Sequence, residues 1–102
     1  MASSTKLLQT PTEYIKNISD SDYSLCLRNG KTVTLILNIT TLKRLSEYTI
    51  YLTLPEQYTP SYVMFAPTTN GNIRIGVAGE VMPCKQIEAN STIQVVISYV
   101  IK

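Results

Sequence analysis

Apolar residues recur at every second position along most of this chain. Val33, Leu35, Leu37 and Ile39 alternate with Thr32, Thr34, Ile36 and Asn38. Tyr48, Ile50, Leu52 and Leu54 alternate with Thr49, Tyr51 and Thr53. Ile73, Ile75 and Val77 alternate with Asn72, Arg74 and Gly76, and Ile93, Val95, Ile97, Tyr99 and Ile101 follow the same rule. Successive strand side chains point to opposite faces, so each series lays one apolar face on a core. β-Branched and aromatic residues dominate the runs, as strands prefer. Only residues 41–47 could hold a helix, and seven residues are too few for a stable one in isolation, so they read as a loop or a single turn.

The punctuation supports short antiparallel strands. Asn29-Gly30 and Asn70-Gly71 each divide two strand runs, and Asn-Gly suits the positive φ angles of a type I′ hairpin. Pro55, Pro60, Pro67 and Pro83 cannot donate to a ladder and mark strand ends. The pattern predicts an all-β protein: an antiparallel β-sandwich or small β-barrel of six to eight strands, with residues 1–12 as an N-terminal arm and residues 13–102 as one domain. No internal repeat stands out beyond the two strand–Asn-Gly–strand units. Val96, Val100 and Ile36 give two strands apolar residues on both faces. That implies cover by a loop or a second sheet, or a subunit interface.

Composition narrows the function. The 102 residues are 44% hydrophobic and 16% charged, which excludes a disordered chain. A net charge of +2 is too small for a nucleic-acid footprint. The strand faces carry Thr, Asn, Ser and Gln rather than the interleaved aromatic and basic residues of single-strand binders. Histidine is absent, which removes the commonest general base and imidazole metal sites. Cys26 and Cys84 are too few for a zinc site and too far apart for a C-x-x-C motif, leaving two buried thiols or one disulfide. The seven acids fall mainly in loops and turns, Asp20 and Asp22 in a polar turn, and show no catalytic pair. The segment from Gly71 to Gly79 sits in strand context, not before a helix, and does not read as a phosphate loop. No enzyme, cofactor or metal is expected.

No segment approaches the roughly 18 apolar residues that span a bilayer. The first ten residues lack the apolar run of a secretory signal. The sequons at Asn17, Asn38 and Asn90 therefore read as chance matches. Binding is the more plausible use. Tyr58 and Tyr62 flank a Pro-bounded loop, and an exposed Tyr offers a flat apolar face with a hydroxyl handle. Tyr23, Tyr48 and Tyr99 fall in core-facing series and read as structural, Lys43-Arg44 as a solvated pair, and Arg74 as a lone charge on an outer strand face.

Three segments taken in order carry a resemblance. Residues 24–40, SLCLRNGKTVTLILNIT, form a short strand, a basic turn and a long alternating strand. Residues 52–61, LTLPEQYTPS, contain an LP-x-x-Y-x-P element. YVMFAP and NGNIRI follow. Over about residues 23–101 this order resembles the receptor-binding heads and related baseplate modules of tailed phages of Gram-positive bacteria, such as the lower baseplate protein of lactococcal siphophages. The resemblance implies a trimeric antiparallel β-module in the virion, beside other baseplate proteins, that binds host cell-wall saccharide or acts as a scaffold. Saccharide sites of such heads use Trp, His, Asp and Arg near subunit boundaries. With no Trp or His here, Arg74 and loop polar groups take that place. Such proteins carry neck and shoulder segments, so 102 residues are either a compact protein or a C-terminal domain. The expected ligand residues are Tyr58, Tyr62, Asn70, Asn72 and Arg74, around two loops taken to be close in space. A scaffold or connector of the virion, and a carbohydrate-binding module fused to an enzyme, are the alternatives.

Overall fold

Two antiparallel sheets enclose the core in the computed structural model, which describes residues 3–8, 12–19 and 23–101. The Asp20–Asp22 turn lies outside these residues. Nine strands occur among them: β1 (Ser3–Leu7), β2 (Ile15–Asn17), β3 (Leu25–Asn29), β4 (Thr32–Thr41), β5 (Leu52–Thr53), β6 (Met64–Thr68), β7 (Gly71–Ile75), β8 (Glu80–Pro83) and β9 (Thr92–Val100). The longest, β4 and β9, pair antiparallel from Thr32↔Val100 to Thr40↔Thr92 and form the spine. On the other edge of β4, β3 pairs with its first half and β2 with its end. β1 adds outside β3. The second sheet runs β5-β8-β7-β6.

The fold class is as the alternation predicts, with nine strands against the six to eight expected. The excess includes the arm. Residues 3–7 are a ladder strand, Ser3↔Asn29 to Leu7↔Leu25, and not an arm. Their hydroxyl side chains hid a strand, because an edge strand can be polar where its side chains are solvated, and Ser4, Thr5, Lys6 and Leu7 are all exposed.

The alternation buries Val33, Leu35, Leu37, Ile39, Ile73, Ile75, Ile93 and Tyr99, with Cys26, Leu45 and Val81 among them. It fails between residues 48 and 54. Tyr48 turns outward at φ 62, only Leu52–Thr53 is strand, and Tyr51 rather than Tyr48 is buried. Residues 49–51 are not in a strand, so no two-residue period holds there: Ile50 is exposed and the neighbours Tyr51 and Leu52 are both buried. Tyr23, also read as structural, and Val77, read as core-facing, are exposed for want of a strand around them. Of residues 41–47, Thr41 ends β4 and residues 42–47 are a loop closed by a bridge between Leu45 and Ile87. Both cysteines are free.

The hairpins differ from the expected type I′ turns. Asn29 pairs with Thr32, so the turn residues are Gly30 and Lys31, with positive φ on Gly30 alone, the type II′ arrangement. In the second hairpin Thr69 and Asn70 turn the chain and Gly71, at φ 84, takes the bulge position after them. In both, glycine alone supplies the positive φ; relative to the type I′ reading Asn stands one place earlier in the first hairpin and one place later in the second.

One side of the shell is stitched. Thr69 bonds Thr92 and Gln94 of β9, Ser61 bonds the Val100 carbonyl, and Pro60 bridges Ile101. The opposite side, between β1 and β5, is a groove lined by Lys6, Leu8, Leu52 and Pro55. The first described residue of β1 and the residue after β9 meet the same hairpin: Ser3 pairs with Asn29, and the Ile101 N–H donates to the Lys31 carbonyl. Both ends of the described chain therefore lie at one end of the shell. The loops around Leu45, Tyr48, Asn70, Lys85 and Asn90 lie at the other.

Candidate functional site

The five residues expected to form one site are dispersed. Tyr58 is only 8% exposed. A single 3₁₀ turn, Glu56–Tyr58, follows Pro55 and folds the ring under the chain-terminal end. There its hydroxyl meets Ser4 Oγ at 2.9 Å and its carbonyl accepts the Tyr99 hydroxyl at 2.6 Å. Tyr58 is thus a plug and not a contact surface. Tyr62, 81% exposed, stands at the same end. Asn70 lies beyond the far end of β6, across a strand about 17 Å long, so the two loops are not close. The Asn70 amide donates to the Thr92 carbonyl and holds the hairpin against β9. Asn72 is exposed and its carbonyl accepts the Cys84 N–H. Arg74 pairs with Phe65 across the outer face of the second sheet, its guanidinium 3.7 Å from Met82 Sδ. The alternation placed each residue on its strand or loop. It gave no distance between loops, and the grouping fails there.

Two other regions gather polar groups. At the chain-terminal end, Arg28 donates from Nε to the Gly30 carbonyl at 2.9 Å and from Nη1 to the Gln57 carbonyl at 3.3 Å. Three shallow depressions meet at Arg28. One is lined by Ser4, Thr5, Leu27, Asn29, Thr32 and Thr34, one runs toward Glu56 and Ala78, and a third reaches Lys31. Arg28 was legible as the basic residue of a turn. Its role as a stitch was not, because the Gln57 carbonyl lies on a loop remote in sequence.

At the opposite end the loops cross at the Leu45–Ile87 bridge, whose two N–H groups and two carbonyls bond each other at 2.7 and 2.9 Å. Buried Thr41 fixes this crossing. Its hydroxyl donates to the Glu88 carbonyl at 2.8 Å and accepts the Ser91 N–H at 2.9 Å. Lys43 pairs with Glu13 at 2.6 Å and sits 4.7 Å from the Tyr14 ring centre. The Glu13 hydrogen bond raises the Lys43 pKa. Lys43 was read as solvated, and the pair is indeed exposed. Leu42, Arg44, Glu47, Tyr48, Ile50, Lys85 and Asn90 are also exposed here.

Buried titratable groups are few. Burial pushes the Cys26 thiol up to about 11, against a partly opposing hydrogen bond from Tyr99. Burial also raises Tyr51 and Tyr99. All three are held neutral at physiological pH. Among the described residues no three of His, Cys, Asp or Glu gather as a metal site, and no helix is long and apolar enough to cross a membrane. Comparison with protein-family models, curated proteins and solved structures finds no match.

Proposed function

We propose that this protein is a non-catalytic attachment module of a phage tail or baseplate, binding host cell-surface saccharide through the loop end of its shell. The observation that carries the reading is polarity along the spine. Both ends of the described chain sit at the Arg28 end, so any further chain leaves from there and the opposite loops face outward. The virion setting rests on the sequence resemblance. In that setting the module forms a homotrimer beside other baseplate proteins, and several weak sites add to firm attachment. The β4–β9 ladder supports this use, since it holds the displayed loops without needing a ligand to order them.

A scaffold role is the second reading. It is favoured by Phe65, Val96 and Val100, large apolar residues exposed on the two strands that meet at the stitched side, and by Tyr62 just before the first of them. One experiment separates the two. Labelled protein is incubated with Gram-positive cells and isolated walls, and in parallel with baseplate proteins, while light scattering gives its mass. Retention by walls and a trimeric mass support attachment. Retention by baseplate proteins alone overturns it in favour of the scaffold.

A further inference from the structure

Two turns at the loop end have the same design and different residues at their key position. One follows bridge residue Leu45 and the other bridge residue Ile87. In each, one residue follows the bridge, then a two-residue turn whose second member has φ 62. That member is Asn90 in one turn and Tyr48 in the other. In the first turn the Thr49 N–H donates to the Ser46 carbonyl, and Tyr48 occupies the third place, which ordinarily takes Gly or Asn. Asn visits this left-handed region readily because its short side chain bonds locally, whereas a bulky residue there is strained. The strain is imposed from outside. The Leu45–Ile87 bridge before the turn and the Tyr51 N–H on the Val81 carbonyl after it fix the chain on both sides, and the Tyr48 N–H itself is tied to the Pro83 carbonyl.

Packing does not repay that cost. Tyr48 is 52% exposed, it is not part of the buried core, and its hydroxyl bonds no described residue. Strain held at an exposed side chain is characteristic of contact sites. We propose that Tyr48 is the ring-stacking residue of the loop end, taking the apolar C–H face of a pyranose while its hydroxyl bonds a sugar hydroxyl. This assignment rests on the attachment reading above and names its contact residue. A tyrosine suits the task because its two-torsion side chain loses little freedom on binding and presents both an apolar face and a polar tip. The turn holds that ring outward before any ligand arrives.

The test is a pair of opposed changes in one variant. Tyr48→Asn copies the equivalent turn, so it relieves strain while removing the ring. Its melting temperature rises by about 4 °C, and its retention on isolated Gram-positive wall polysaccharide and on free pyranose oligosaccharides falls at least about tenfold. Tyr48→Phe keeps the ring and most of the retention. Wild-type protein that binds neither probe overturns the attachment reading together with this one. Wild-type binding that Tyr48→Asn leaves intact overturns the Tyr48 assignment alone. A melting temperature that falls in Tyr48→Asn shows the ring to be structural and overturns it as well.

Discussion

The two ends of the shell solve the same problem differently. At the chain-terminal end every positive φ falls on glycine, Gly30 and Gly79, and side chains reach inward to tie remote segments: Arg28 to Gln57, Tyr58 to Ser4, and Tyr99 to Tyr58. A Cβ at Gly79 would come within 2.9 Å of the Leu54 carbonyl, so glycine there also makes room. At the loop end two of three positive φ angles fall on residues with side chains, Tyr48 and Asn90, and most ties are between backbone groups or to the one buried hydroxyl of Thr41. The first end uses side chains to hold itself shut. The second holds itself mostly by backbone, with Thr41, Thr69 and Asn70 as its side-chain ties, and leaves Arg44, Glu47 and Tyr48 exposed. Exposed positions of that kind can change for recognition at little cost to the fold.

The largest effect that sharpens this contrast is at Tyr99. Tyr99→Ala removes a buried ring and unpairs the Tyr58 carbonyl, and is expected to cost about 3–5 kcal/mol in urea unfolding. Tyr99→Phe keeps the ring and costs about 1–2 kcal/mol for the stranded carbonyl. At the loop end the equivalent loss is confined to one hydroxyl. Thr41→Val strands the Ser91 N–H and the Glu88 carbonyl and costs about 1–3 kcal/mol. If exposed Arg44 or Glu47 costs as much as Thr41 when changed to Ala, the loop end depends on its surface side chains and the contrast breaks.

The cysteines give a smaller and pH-dependent version of the comparison. Cys26 is fully buried beside Tyr99, while Cys84 is half-buried at the loop end. In native protein at neutral pH a disulfide reagent should modify Cys84 at least about a hundredfold faster than Cys26, whose thiol is both enclosed and held protonated. The folded-state pKa of Cys26 lies above its unfolded value, about 11 against 9.0. The unfolded chain releases this proton first, so stability is intact below pH 9 and declines as pH rises from 9 toward 11. Urea unfolding at pH 8 and pH 10.5 checks the sign. A Cys26→Ala protein should lose part of that dependence, with buried Tyr51 and Tyr99 supplying the remainder.

Particular residues show how far the sequence could be read. Ile73 and Ile75, or Ile93 and Val95, declare their burial through a period of two, because that period is a local property of extended chain. The strand at residues 3–7 does not, since its partner strand and not its own composition makes it a strand. Tyr48 and Tyr58 went wrong for one reason: each belongs to a turn whose shape is set by contacts elsewhere, the Pro83 carbonyl for Tyr48 and the Tyr99 hydroxyl for Tyr58. The dispersal of Tyr62, Asn70 and Arg74 has the same origin. Which loops share an end of a shell depends on strand order, and alternation carries no strand order. The Tyr48–Asn90 correspondence had a faint trace in sequence: residues 43–49 and 85–91 both place a lysine two positions before the bridge residue, and a hydroxyl residue right after the left-handed one.

The smallest expected effect tests whether burial alone explains a tyrosine between the two ends. Tyr51 is 1% exposed, yet its hydroxyl has no partner among the described residues. A buried hydroxyl keeps its desolvation cost when no bond offsets it. Tyr51→Phe removes that oxygen and leaves the ring where it packs. Stability should therefore stay level or rise by up to about 1 kcal/mol, in contrast to the loss at Tyr99, whose hydroxyl has a bond to lose. Burial raises the pKa of both hydroxyls, so the same substitution should also weaken the alkaline loss of stability. A drop of more than about 1 kcal/mol in Tyr51→Phe would mean that this hydroxyl is bonded in solution, and that the middle of the shell is tied by side chains as its chain-terminal end is.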